Sequence, residues 1–268
     1  MASGIPDAVR RQIDIDRFPE WQPFVDAVQQ RRPDSGTWCE AWTVRDIVAH
    51  QAGNAEELAR VLGAHLAGEP VATRSFEERE GPLRALNDAD LWDALQDKMA
   101  TLNEVAAAAD EVPADTDVAW TGRTMKVPWF AEHIREELVL HGWDITGDWD
   151  NWDTSAAFQA ALAEPWMTTH SVVAVGRPLL AKGAKELGPG ERVEARLRVA
   201  GTDDVFVSAD ADQTTVGFTD PEGPATLETD AAARVLLLWG RRPGDPSRIC
   251  SRAGAATLGR VRRLLSGY

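Results

Sequence analysis

Glu137 and His141 stand four residues apart in the segment VPWFAEHIREELVLHGWDITG, residues 127–147. At about 100° per residue, a helix through this segment puts Val127, Phe130, Ile134, Leu138 and Ile145 on one apolar stripe. Glu137 and His141 fall inside that stripe, one turn apart. Glu136 points almost the opposite way, as an ordinary solvated acid would. A carboxylate and an imidazole that face a core are costly unless paired, protonated or bound to a cation. Two arrangements meet that condition. In one, protonated Glu137 is hydrogen-bonded to His141 or to a backbone carbonyl. In the other, a Glu-x-x-x-His pair supplies two ligands to a metal, another helix supplies a third, and one coordination position stays open for water or substrate.

The chain offers five histidines as sources of that third ligand. His65, near a helix end, and His170, beside a Thr-Thr pair, read as ordinary residues. His133 lies one turn before Glu137 but drifts to the polar edge of the stripe. His50 sits at the border of an apolar helix face, with Asn54 one turn further on.

The elements that must carry these residues are legible from periodicity. Thr43-Val44-Arg45-Asp46 has the pattern of an N-cap with an acidic third residue, opening a helix through Ile47, Val48, Ala55, Leu58 and Leu62. Residues 88–110 repeat Leu91, Leu95, Met99, Leu102, Ala106 and Ala109 at helical steps. Pro128 suits the first turn of a helix running to about Asp144. Another helix is expected over 19–31, and one or two more between 155 and 182. Long helices with short connections favour a bundle. After residue 185 the pattern changes. Residues 192–199 alternate as a half-buried strand, 205–207, 215–218 and 225–227 add strand signals, and Asp230 caps a helix that stops at Gly240. A last helix carries Leu258, Val261, Leu264 and Leu265. The expected fold is mainly α plus α+β: a helical bundle over 1–184 and a small α+β module over 185–268. The glycine-rich stretch 182–190 is the linker candidate.

Composition limits the partners. With 44% hydrophobic and 26% charged residues, the 268-residue chain can bury a core and is not a disordered sequence. Its formal net charge of −15 argues against nucleic acid or an anionic membrane as partner. No apolar run is long enough to span a bilayer, and residues 1–18 lack the apolar core of a secretory signal, so a cytoplasmic protein is expected. The two cysteines, Cys39 and Cys250, make no disulfide framework, and Cys250 reads as a small buried hydrophobe.

Three stretches resemble, in order, the mycothiol-dependent maleylpyruvate isomerase-like family of the DinB-like group. Residues 39–50, CEAWTVRDIVAH, are similar to its opening signature, which ends on a histidine. Residues 137–144, ELVLHGWD, are similar to its second signature. Residues 236–242, LLLWGRR, resemble its small C-terminal domain, similar in fold to sterol carrier proteins. The resemblance implies a metal triad of His50, Glu137 and His141, with zinc the usual ion. It also implies a catalytic position for Asp144 and a C-terminal-domain arginine, Arg241, at the active site, where it would meet an anionic group of thiol or substrate. Arg79 matches an arginine between the two bundle motifs and would contact the thiol cofactor. Gln51 departs from the family, which more often has an apolar residue there.

The chemistry implied is that of a divalent metal, which makes a bound thiol a thiolate at neutral pH. The thiolate of mycothiol adds to an electrophilic small molecule. Departure after bond rotation gives cis–trans isomerisation, and retention gives S-transfer. Arginines can fix a carboxylate bidentately. Two other readings fit the same residues: a metal-assisted hydrolase or natural-product tailoring enzyme that uses no thiol, and a non-catalytic small-ligand binding protein.

Overall fold

The computed structural model describes residues 13–147, 153–210 and 212–267. Most of the N-terminal stretch read above as lacking a signal, residues 1–12, lies outside them. The chain divides into two compact units. The first holds residues 1–22, 32–34 and 43–135; the second holds 23–31, 35–42 and 136–268. Two helices, α1 (Trp21–Gln29) and α5 (Val127–Thr146), contribute residues to both.

The first unit is built on α2 (Val44–Leu66), α3 (Phe76–Arg84) and α4 (Asp88–Ala109). Thr43 and Asp46 form the expected capping box, each side chain accepting from the other's backbone N–H. Ser75 and Glu78 repeat the device at α3, and Asn87 caps α4. The apolar stripes of α2 and α4 pack together: Ile47, Leu58 and Leu62 meet the layer of Leu91, Leu95, Met99 and Leu102, all essentially inaccessible. Gly53 lets α3 approach α2, because a Cβ there would stand 3.1 Å from Glu80 Cγ. A hairpin of β1 (Asp117–Trp120) and β2 (Arg123–Lys126) precedes α5. Its two-residue turn, Thr121-Gly122, takes positive φ at both positions, which matches the twist of the flanking strands. Periodicity did not disclose this hairpin, since four residues per strand carry too little alternation.

In the second unit, α6 (Asp153–Ala163) and α7 (Pro165–Thr169) lead into a π-helical turn, His170–Val175. A 3₁₀ turn and α8 (Ala181–Ala184) follow. The expected linker therefore begins later than 182: Gly183 is helical and packed so tightly that a Cβ would lie 2.3 Å from the Arg263 carbonyl oxygen. The sheet then forms from β3 (Val193–Arg198), β4 (Asp204–Ala209), β5 (Thr214–Thr219), β6 (Leu227–Thr229) and β7 (Ile249–Cys250). Its order is β5-β4-β3-β6-β7, antiparallel except for the β3–β6 pair. Val193, Ala195 and Leu197 alternate inward on β3, as do Val205, Val207 and Ala209 on β4. Helix α9 (Ala231–Leu238), capped by Asp230, packs on α6, and α10 (Ala255–Leu264) packs on β3. A helical N-terminal region followed by a sheet-containing C-terminal part is the fold class expected from sequence. Cys250 departs from expectation: at the short edge strand β7 its side chain is exposed, not buried.

Candidate functional site

On α5, Glu137 and His141 are both buried, with His141 Nε2 3.3 Å from Glu137 Oε2. One turn further on, Asp144 Oδ2 lies 2.9 Å from His141 Nδ1. Each face of the imidazole edge thus meets a different carboxylate. Trp42 stacks flat on the ring at 5.6 Å between centroids and 7° between planes, fixing its rotation. The loop bearing Trp42 is tied to the same helix end, since the Trp38 N–H donates to the Asp144 carbonyl at 2.7 Å. Gly147 closes the helix where any Cβ would strike the Trp38 ring.

Asp144 is fully buried, and Arg241 is its counter-charge. Arg241 Nε donates to Oδ1 at 2.8 Å and Nη2 to Oδ2 at 2.5 Å, a two-point fork, while Nη1 donates to the Trp239 carbonyl. Burial alone would push the Asp144 carboxyl up; the guanidinium, with help from His141, outweighs it and holds the group below its ordinary value. The same pairing raises Arg241 further above its usual range. Arg241 is aimed by the residue before it: Gly240, at φ +76°, stops α9 where a Cβ would stand 2.5 Å from the Gly267 nitrogen. The Arg241 fork, expected from sequence to meet an anionic ligand, meets Asp144 here.

In the first unit, His50 has its own set of partners. His50 Nδ1 donates to Glu80 Oε1 at 2.7 Å, and Nε2 accepts from Asn54 Nδ2 at 3.0 Å. The amide is oriented by Arg79, whose Nη1 donates to Asn54 Oδ1 at 3.1 Å. That assigns the proton to Nδ1 and the lone pair to Nε2. Glu80 is held ionised: burial pushes it up, but the bonds from His50 and Arg84 bring it below its ordinary value. Phe76 stacks on His50, and the Arg79 guanidinium sits 4.3 Å over the Phe76 ring. Arg79, expected to contact the cofactor, is buried against Asn54 and Phe76.

Sequence reasoning missed Glu80, although the Ser75-x-x-Glu78 capping box was a readable sign of a helix there. It also misread Glu136. Expected on the solvated side of α5, Glu136 has no exposed surface. Ser171 Oγ donates to its Oε1, as does Trp239 Nε1 at 3.2 Å, and His170 Nε2 lies 3.6 Å from Oε2. Burial pushes the Glu136 carboxyl up to about 7. An isolated amphipathic helix has one wet face, but α5 is covered on both, which a stripe calculation cannot foresee. His170, read as ordinary, and His133, expected at the polar edge of the stripe, are buried too, whereas His65, also read as ordinary, is half-buried.

His50, Glu137 and His141, all buried, offer two imidazoles and a carboxylate, a group of donors that could hold a metal ion. Comparison with known proteins gives the lineage. Residues 18–146, which include His50, Glu137, His141 and Asp144, match the mycothiol maleylpyruvate isomerase N-terminal domain. That stretch, just under half of the chain, carries the family's N-terminal domain. Two solved structures share their fold with this chain. One, titled mycothiol-dependent maleylpyruvate isomerase, is 16% identical with a TM-score of 0.58. The other, a histidine-to-alanine mutant of an isomerase with the same title, is 14% identical with a TM-score of 0.57. In both cases the match covers 88% of this chain and 92% of the other. No curated protein is detectably similar in sequence. Among the described residues, no helix is long and apolar enough to cross a membrane.

Proposed function

We propose that this protein is an enzyme that uses mycothiol and a divalent metal, zinc by donor type, to attack an electrophilic small molecule. His50, Glu137 and His141 are the ligands of that metal. The observation that carries this reading is the carboxylate that stands beside Nδ1 of each histidine. Each histidine has a carboxylate beside Nδ1, Glu80 for His50 and Asp144 for His141, which leaves Nε2 as the ligating atom once a metal takes the place of Asn54 at the His50 lone pair. Metal-ligating histidines usually turn their other ring nitrogen to a carboxylate, carbonyl or water, and the carboxylates beside His50 and His141 fit that habit. A divalent ion in this set supplies a lowered thiol pKa, so that the thiolate is the species present at neutral pH.

The chain's own residues do the positioning. Asp144 holds the His141 ring, Arg241 keeps Asp144 ionised, and Trp42 bars ring rotation. Asn54, set by Arg79, meets the His50 lone pair. The reaction outcome is isomerisation where the thiolate departs after bond rotation and S-transfer where it stays. The names of the solved relatives favour isomerisation, with maleylpyruvate as the first substrate to try. The test is conversion of maleylpyruvate by the purified protein with and without mycothiol, before and after chelation. Thiol-dependent, chelator-sensitive turnover is expected. Turnover that ignores the thiol and survives only with metal would favour the hydrolytic reading instead.

A further inference from the structure

We propose that a second divalent cation site lies beside the first on α5, with His133, Glu136 and His170 as ligands. These three residues form a buried group of metal-capable donors, exposed by 3%, 0% and 2%. His133 and Glu136 are three residues apart on one helix, a His-x-x-Glu spacing that stacks both side chains over one turn. His170 comes from the start of the π-helical turn, a backbone irregularity that often accompanies functional sites.

The geometry around Glu136 favours an ion over a plain hydrogen-bonded pair. Ser171 and Trp239 both donate to Oε1, which fixes the carboxylate plane and turns Oε2 toward His170 Nε2. The 3.6 Å between those atoms is longer than a charge-assisted hydrogen bond. It is close to the edge of about 3.3 Å expected between ligands on a tetrahedral ion with bonds of about 2.0–2.1 Å. The Glu137–His141 spacing of 3.3 Å in the first site has the same character. Ser171 and Trp239 then play toward Glu136 the orienting part that Asp144 plays toward His141.

The test is metal stoichiometry by competitive zinc titration of the apo protein, read beside circular dichroism. The wild type is expected to bind two equivalents, and His141→Ala, which lacks the first site, is expected to retain one. His170→Gln and Glu136→Gln should each lose one equivalent while keeping the one that His141→Ala removes. One equivalent in the wild type and none in His141→Ala would overturn the second site, leaving a protonated Glu136–His170 pair. One equivalent that survives His141→Ala but is lost in His170→Gln would support the second site and contradict the first. Because the His141→Ala arm leaves the second site's residues untouched, the inference does not depend on the folding of the His170 variant.

Discussion

Arg241 shows how far a single residue's role depends on its partner. Removing it leaves Asp144 a buried, uncompensated carboxylate, a loss of about 3–5 kcal/mol when one half of such a pair is deleted. Arg241→Ala should therefore lower the melting temperature and weaken metal binding roughly 10–100-fold, the usual cost of losing a ligand's outer support. Asp144→Asn added to Arg241→Ala should recover most of the stability and little of the metal affinity. Thermal melts and metal titrations of the single and double variants would check both halves. If instead Arg241→Ala changes only KM, with stability and metal content intact, the arginine serves the substrate and not Asp144. Helical spacing singled out Glu137 and His141, and the family resemblance pointed to His50 and Asp144. It could not disclose that Arg241 and Arg79 are inward-turned, because a side chain's partner across the fold leaves no mark on local periodicity.

At the scale of elements, helix caps and apolar stripes were the most legible features. Thr43 and Asp46 opened α2 as their types require, and the Leu91-to-Ala109 stripe of α4 is buried as written. The Thr121-Gly122 hairpin, α3 and the second buried face of α5 were not legible, since each depends on what packs over a short segment. Glu57 is a further tertiary feature of α2. Its carboxylate is buried and accepts from Arg60, from Arg74 Nε and from the Arg74 backbone N–H, anchoring residues 72–74 to the helix. Burial opposes ionisation there, yet the two arginines and the backbone donor bring the group down to about 2. A carboxyl held below its unfolded value stabilises the fold above about pH 4.5, and that stabilisation is lost as pH falls toward 2. Glu57→Gln should thus cost about 1.5–3 kcal/mol at pH 7 and flatten the acid limb of the stability profile between about pH 4.5 and 2. Denaturant midpoints across pH would show it; an unchanged acid limb would mean that other carboxylates dominate.

For the whole molecule, the change from helical to alternating periodicity near residue 185 marked the onset of the sheet correctly, and we propose a boundary there between a bundle of 1–184 and a module of 185–268. Brief trypsin treatment should cut first after the exposed Lys185 and leave two resistant fragments; protection of that site until global unfolding would remove the boundary. Metal and fold are expected to be separable. The α2–α4 interface and the sheet core are apolar and extensive, unlike a zinc finger, so chelation should abolish turnover yet leave the helical circular dichroism in place with a modest drop in melting temperature. Collapse of the helical signal at room temperature would show that the metal is required for folding.

The measurement that bears most directly on the proposed function is the absorption spectrum of the cobalt-substituted protein on addition of mycothiol. A thiolate-to-cobalt charge-transfer band should appear in the wild type and persist in His170→Gln, and it should be absent from His50→Ala and His141→Ala. Cobalt bound at full occupancy with no such band, or a band undiminished in His141→Ala, would contradict a thiol-activating metal held by His50, Glu137 and His141.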